Sequence, residues 1–232
     1  TDVIAFDAPG TGASTTPVMP MRMRGYAKLV AAMLNELGYA QVDVLGVSWG
    51  GALAQQFARS FPGRCRRLVL AATSTGLFSV PGDPRALWKL MSSTRFDDAE
   101  SVVKHADSIY GGVFRNNPEY ARQHMSDIVP PRTLGYLGQL FAIWGWTSVH
   151  WLFTLKHPAL IMVGSDDPLV PAINGRIMKA LIPNAELVEL DCGHLFVVTQ
   201  AEIAVPVVRD FLEGNRDPAG ITTGLQPVPR MQ

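Results

Sequence analysis

Residues 42–58 read VDVLGVSWGGALAQQFA, and this stretch decides the fold. The apolar run Val42–Val47 predicts a strand buried in a sheet, and the pattern of Trp49–Phe61 predicts a helix. Between them lies a GxSxG pattern centred on Ser48, with a glycine two residues away on either side. Large neighbours would clash on so sharp a turn, so these glycines let the serine hydroxyl project at the carboxyl edge of the sheet. The stretch therefore predicts a strand, a tight turn and a helix, with Ser48 at the tip.

The same context makes Ser48 the predicted nucleophile. The helix behind it points the positive end of its dipole at the oxyanion that forms after attack. A turn that only packs tightly can show GxSxG by chance, but the strand before it and the helix after it favour catalysis. A serine hydroxyl is a poor nucleophile until a base takes its proton, so the chain must also supply a base.

His194 is the predicted base. It lies in ELDCGH, directly after the last strand-like run and before a helix. Surface or packing roles are expected for the other four histidines, His105, His124, His150 and His157.

Asp167 is the predicted acid that orients this base. It lies in VGSDDPLVP, just after a strand-like run, and gives the chain order Ser, Asp, His. The neighbouring Asp166 competes for the role, but the spacing of Gly164, Asp167 and Pro171 fits better with the second aspartate. We therefore expect Asp166 to stabilise the turn.

Strand-like runs alternate with helical patterns along most of the chain, which predicts a parallel sheet with helices on both faces. The predicted strands are Val3–Phe6, Val42–Val47, Arg67–Ala72, Ala159–Val163 and Ala185–Leu190. The predicted helices are Met23–Leu37, Trp49–Phe61, Ile173–Leu181 and Glu202–Leu212.

The alternation stops once, and the interruption suggests how the chain is organised. Residues 74–156 show short helical segments broken by prolines and glycines, and a structureless loop of this length would be improbable. We expect a helical lid there, inserted into an α/β core formed by residues 1–73 and 157–213. Residues 214–232 contain few apolar side chains and are expected to form a flexible tail.

Composition argues against several classes of function. Hydrophobic residues make up 47% and charged residues 17% of the 232 residues, and the formal net charge is zero, so no nucleic-acid partner is expected. The longest apolar stretch, Leu140–Phe153, is shorter than the roughly 20 residues that span a bilayer. The cysteines Cys65 and Cys192 lack metal-site spacing, and the turn after Asp7 lacks the third glycine of a dinucleotide fingerprint. We expect no metal and no cofactor.

Five strings of the sequence resemble one family over most of the chain. They are VIAFDAPGTGAS, VDVLGVSWGGALAQQFARSFPGRCRRLVLAAT, IYGGVFR, QLFAIWGWTSVHWL and VGSDDPLVPAING. Together they resemble the intracellular depolymerases of medium-chain-length poly(3-hydroxyalkanoate), which have the α/β-hydrolase fold. The strings from the lid are the most specific, because many esterases and lipases share the GxSxG turn.

The resemblance implies an ester hydrolase that releases 3-hydroxyacyl monomers or oligomers from a hydrophobic storage polyester. It implies an acyl-enzyme on Ser48, with Asp167 and His194 as acid and base. It also implies a cytoplasmic protein associated with storage granules.

Aromatic residues are the candidates for substrate binding. The lid is rich in aromatic side chains, which can line an apolar cleft for alkyl groups. We expect Trp49, Phe141, Trp144 and Trp146 to bind substrate; the alternative is that each packs inside the protein.

The start of the chain carries a further expectation. The chain opens at Thr1 without a methionine. The resemblance implies an upstream strand and loop that supply one backbone N–H of the oxyanion hole, the other coming from Trp49. We therefore expect a fragment that lacks the N-terminal strands, with a gap in the sheet between Val3–Phe6 and Val42–Val47.

Two other functions fit the same residues. One is a lidded carboxylesterase or lipase that acts on small esters with the same three catalytic residues. The other is a non-catalytic hydrolase-like binding protein, which the missing oxyanion strand would favour and the intact Ser, Asp and His disfavour.

Overall fold

The computed structural model describes residues 2–17, 19–91, 99–125 and 132–215. Its sheet contains four parallel strands in the order β1-β2-β3-β4. They are β1 (Val42–Val47), β2 (Cys65–Ala71), β3 (Ala159–Gly164) and β4 (Ala185–Leu190). All four carboxyl ends therefore meet at one edge of the sheet.

Helices connect the strands and cover the sheet. They are α1 (Met23–Glu36), α2 (Trp49–Ser60), α3 (Pro84–Met91), α4 (Ala99–Tyr110), α5 (Pro118–Met125), α6 (Thr133–Ile143), α7 (Ile173–Leu181), α8 (Phe196–Thr199) and α9 (Ala201–Glu213). Short 3₁₀ helices lie at Pro62–Arg64, Gly112–Arg115 and Leu152–Thr154. The predicted α/β fold is confirmed, and the long predicted helices agree with the observed ones within one residue at each end.

The core has two layers, one on each face of the sheet. Every residue of β3 is buried, and its alternate side chains enter different layers. Ile161 packs with residues of α1, α2 and α7, whereas Met162 packs with Phe196 and Phe211 on the face covered by α8 and α9. This burial on both faces explains why β3 reads as a continuous apolar run.

The predicted strand Val3–Phe6 is wrong, because this segment forms no strand in the structure. A strand needs a hydrogen-bonded neighbour, and among the described residues none pairs with this segment. Val3 is 87% exposed and Phe6 45% exposed, and only Ile4 packs against the core. In the described sheet β1 is an edge strand.

Helices α3–α6 lie between β2 and β3, in the segment that the sequence assigned to a helical lid. The two ends of this segment meet, since Gly76 and Thr147 form an antiparallel bridge. Next to the bridge, the buried Ser148 hydroxyl donates to Gln55 Oε1 of α2 at 2.6 Å. The insertion is thus anchored to the core at its base, and its role as a lid stays a prediction. Most of the predicted tail, from residue 216 onward, lies outside the described residues.

Candidate active site

Ser48 occupies a strained turn between β1 and α2. Its φ of 52° lies in the left-handed region, which costs a non-glycine residue roughly 1–3 kcal/mol. Neighbouring backbone holds the turn, since the Ser48 N–H donates to the Ala71 carbonyl at 2.9 Å. The Ser48 carbonyl accepts a hydrogen bond from Thr73 Oγ1 at 2.8 Å. The hydrogen bonds to Ala71, at the end of β2, and from Thr73 after it therefore hold Ser48 in this strained backbone conformation.

Glycine is required at two positions beside this turn. A Cβ atom at Gly46 would clash with the Gly50 carbonyl oxygen, and one at Gly51 would clash with the Thr73 side chain. At Gly46 the backbone approaches itself more closely than a side chain allows, as the GxSxG pattern predicts. The same expectation is wrong for Gly50, where a Cβ atom would meet nothing within 4 Å.

This clash leads to a prediction about stability. We expect Gly46→Ala to lower the free energy of unfolding by about 1–3 kcal/mol, the usual cost of overpacking. Urea denaturation measures the change. Gly50→Ala is the matched control, because a Cβ atom there meets nothing within 4 Å. Equal stability of the Gly46 variant and the wild-type protein would contradict the close approach.

The reactive groups of the turn are unpaired. Among the described residues, neither the Ser48 hydroxyl nor the Trp49 backbone N–H has a hydrogen-bond partner. Trp49 is the first residue of α2, where backbone N–H groups have no partner within the helix. A serine oxygen and an amide donor are therefore both available to a substrate carbonyl.

Asp167 and His194 form a buried pair at the same edge of the sheet. His194 Nδ1 lies 2.7 Å from Asp167 Oδ2, and the two side chains are 4% and 0% exposed. Asp167 Oδ1 accepts the backbone N–H groups of Leu169 at 2.8 Å and Val170 at 2.9 Å. These two bonds fix the carboxylate, which in turn assigns the proton to Nδ1 and leaves Nε2 able to accept one.

The sheet brings the three predicted catalytic residues to one edge. Ser48 follows β1, Asp167 follows β3 and His194 follows β4. Asp167 and His194 are in contact, whereas no hydrogen bond joins Ser48 to His194 among the described residues. Without substrate such a bond is often long, so the arrangement is compatible with catalysis. The assignment of roles stays a prediction.

Asp166 differs from the expectation that it stabilises its own turn. Its Oδ2 atom accepts the Gly112 N–H at 2.7 Å and the Arg115 Nε–H at 2.8 Å, both from the insertion. The hydrogen bond from Arg115 is the main cause that lowers the pKa of the Asp166 carboxyl below its usual value. The described hydrogen bonds of this side chain thus go to the insertion, and Asp166 joins the core to the 3₁₀ helix Gly112–Arg115.

Tyr110 is a contact of the predicted base that the sequence interpretation missed. Its carbonyl accepts the His194 backbone N–H at 2.7 Å, and its ring stacks on the imidazole at 6.5 Å between centroids. The double glycine after Tyr110 was the available signal. Gly111 and Gly112 both have positive φ, and a Cβ atom at Gly112 would clash with the Gly193 backbone.

Two of the four predicted substrate-binding residues, Trp49 and Trp146, are partly buried. Trp49 donates its indole N–H to the Gln139 carbonyl at 3.1 Å and packs edge-on to Tyr26 at 5.1 Å. Trp146 donates to Gln56 Oε1 at 2.9 Å. Both residues pack against the main core, and their role in substrate binding stays a prediction.

The other two, Phe141 and Trp144, lie at the surface. Phe141 is 37% exposed and Trp144 is 70% exposed. The Arg22 guanidinium lies 4.2 Å from the Phe141 ring centroid and 5.5 Å from that of Trp144. Arg22 also donates to both of their carbonyl oxygens. These two rings form an exposed aromatic surface at the end of α6.

The cysteines do not offer a second nucleophile. Cys65 and Cys192 are free and buried, and burial is the main cause that raises the pKa of each thiol to about 12. Both are therefore protonated at neutral pH, and a thiol is a weak nucleophile.

The described residues offer no cluster for a metal ion and no membrane span. Within the described ranges, no group of three or more His, Cys, Asp or Glu residues could hold a metal ion. Among the helices of that part of the chain, none is long and apolar enough to cross a bilayer.

Comparisons with known proteins identify the family of the chain. A family model for the alpha/beta hydrolase fold matches residues 1–201. The chain is 51% identical to a poly(3-hydroxyalkanoate) depolymerase of Ectopseudomonas oleovorans, over 94% of this chain and 77% of that protein. It is 31% identical to a 2-hydroxy-6-oxononadienedioate/2-hydroxy-6-oxononatrienedioate hydrolase of Burkholderia vietnamiensis, over 90% of this chain and 76% of that protein. A malate-bound esterase of Thermogutta terrifontis matches with a TM-score of 0.68 at 27% identity, over 90% of this chain and 78% of that one.

Proposed function

The chain belongs to the α/β-hydrolase family, and from that premise we propose that it is a serine ester hydrolase that depolymerises medium-chain-length poly(3-hydroxyalkanoate). The observation that carries this proposal is the similarity to the polyester depolymerase of Ectopseudomonas oleovorans, which extends over nearly the whole chain. The buried Asp167–His194 pair supports the chemistry, because it can activate a nearby serine.

The reaction proceeds in two halves. Ser48 Oγ attacks the ester carbonyl carbon while His194 Nε2 takes the hydroxyl proton, and the Trp49 N–H stabilises the oxyanion. The ester C–O bond then breaks, His194 returns the proton to the leaving alkoxide, and a 3-hydroxyacyl group remains on Ser48. Water, deprotonated by His194, then attacks the acyl carbon. The bond between this carbon and Ser48 Oγ breaks, His194 returns the proton to Oγ, and the free acid leaves.

Asp167 acts through His194. Its carboxylate holds the proton on Nδ1 and stabilises the imidazolium that forms in each half-reaction. Because both Asp167 oxygens already accept hydrogen bonds, the carboxylate needs no rearrangement during the cycle.

The partner is a hydrophobic polyester, and we propose that the protein acts on storage granules in the cytoplasm. Phe141 and Trp144 support contact with such a surface, since they expose aromatic area next to α6. The same rings could accept the alkyl side chain of a single ester, so the kind of substrate must be tested.

Substrate chain length provides that test. We expect kcat/KM for p-nitrophenyl octanoate to exceed that for the acetate at least about tenfold, because each buried methylene contributes about 0.8 kcal/mol. Latex of medium-chain polyester should likewise be hydrolysed faster than poly(3-hydroxybutyrate). Turbidity of the latex and release of p-nitrophenol measure the two rates.

The alternative of an esterase for small substrates makes the opposite prediction. A clear preference for acetyl esters, with no clearing of either latex, would contradict depolymerisation. The assignment of the catalytic residues would still stand.

A further inference from the structure

The insertion, which supplies none of the three predicted catalytic residues, contacts the predicted base His194. Two segments meet there: the 3₁₀ helix Gly112–Arg115 with Tyr110 before it, and the loop that carries His194. The Tyr110 carbonyl accepts the His194 N–H at 2.7 Å, and the two rings stack with 22° between their planes. The insertion therefore accepts a hydrogen bond from the backbone of the base and places the Tyr110 ring nearly parallel to its imidazole, 6.5 Å away between centroids.

Asp166 is the residue that holds this contact in place from the core. It follows β3 and is adjacent to Asp167, and its own N–H donates to the Cys192 carbonyl at 2.9 Å. Its Oδ2 atom binds Gly112 and Arg115, which follow Tyr110 by two and five residues. Asp166 thus connects three segments: the turn that carries Asp167, the loop that carries His194, and the 3₁₀ helix Gly112–Arg115 of the insertion.

The backbones of the insertion and the core pack closely at Gly111, Gly112 and Gly193. Gly111 and Gly112 have φ values of 63° and 56°. A Cβ atom at Gly111 would clash with the Asp166 carbonyl, and one at Gly193 would clash with the Tyr110 carbonyl. Because the backbones touch without side chains between them, a shift of the insertion changes the position of His194.

We propose that Asp166, through Arg115 and Gly112, is a positioning residue that holds Tyr110 against His194. This inference rests on the proposed function, since it assigns a role in the same reaction. Asp166 touches neither the substrate nor the reacting atoms; its effect passes through Tyr110 to the orientation of the imidazole. The ion pair lies outside the buried core, with 45% of the Arg115 and 42% of the Asp166 side chain exposed.

Steady-state kinetics on p-nitrophenyl octanoate tests the proposal. We expect Asp166→Ala to lower kcat about tenfold and to leave KM within about twofold, because small misplacements of a catalytic group cost rate more than binding. Arg115→Ala should lower kcat in the same direction, and Arg115→Lys should recover part of the loss. The double variant should be little worse than either single variant, since both act through one contact.

Arg122→Ala is the matched control. Arg122 forms an exposed ion pair with Glu119 in the same insertion and has no described contact with the loop of His194. The kcat of Arg122→Ala should therefore equal that of the wild-type protein.

A proton NMR spectrum gives an independent measurement of the position of the base. The low-field resonance of the proton between His194 and Asp167 should shift or broaden in Asp166→Ala and remain unchanged in Arg122→Ala.

The outcomes separate this proposal from the proposed function. A folded Asp166→Ala protein with wild-type kcat and an unchanged low-field resonance would overturn the positioning role while the hydrolase activity stands. A rise in KM alone, or an equal loss in Arg122→Ala, would also overturn it. If Asp166→Ala does not fold, the kcat, the KM and the low-field resonance of Arg115→Ala test the positioning role instead. A wild-type protein that hydrolyses no ester would instead refute the proposed function.

Discussion

Ser48→Ala should lower ester turnover by about 10⁴-fold or more, which is the scale on which removal of a catalytic serine acts. The alanine variant cannot form the acyl-enzyme, so only uncatalysed or weakly assisted hydrolysis remains. The fold should persist, because the described bonds of Ser48 are made by its backbone N–H and carbonyl. Release of p-nitrophenol from the octanoate ester, with circular dichroism as the folding control, measures the effect. Turnover within tenfold of the wild-type rate would mean that the serine is only structural.

Asp167→Asn should reduce turnover by about 10⁴-fold, while Asp166→Asn reduces it by about tenfold or less. Asparagine at 167 can present its amide N–H₂ to Nδ1, which favours the wrong imidazole tautomer and removes the charge that stabilises the imidazolium. Asparagine at 166 keeps an oxygen that can accept the Gly112 and Arg115 donors. The two variants differ by one position in the chain and change the same functional group, so each serves as the control for the other.

Rates for both variants should be measured on the same ester at saturating concentration. Equal losses, or a larger loss for Asp166→Asn, would contradict the assignment of Asp167 as the acid.

The elements that the sequence predicted best are those with strong local signals. β1, β4 and α7 agree residue for residue with the observed bounds, because apolar runs and helical patterns there end at clear turns. The turn at Ser48 was predictable for the same reason, since Gly46 marks a close backbone approach that leaves no room for a Cβ atom. These features depend on residues near each other in the chain.

The features that sequence reasoning missed depend on distant partners. Val3–Phe6 has the composition of a strand but no strand to pair with among the described residues. Tyr110 contacts His194 only because the insertion folds back over the core. The indole N–H groups of Trp49 and Trp146 donate to acceptors in other elements, and the sequence did not predict these bonds. Apart from the double glycine at Gly111 and Gly112, no local pattern indicates these contacts.

The central claim is that Ser48 is a nucleophile activated by His194, and covalent labelling tests it most directly. A fluorophosphonate probe reacts with activated serines and leaves ordinary serine hydroxyls unmodified. Mass spectrometry of the digested protein should place one probe adduct on the peptide that contains Ser48, and the adduct should be lost in Ser48→Ala and strongly reduced in His194→Ala. A folded wild-type protein that takes up no probe, or carries it on another serine, would contradict the claim and favour a non-catalytic binding protein or a different nucleophile.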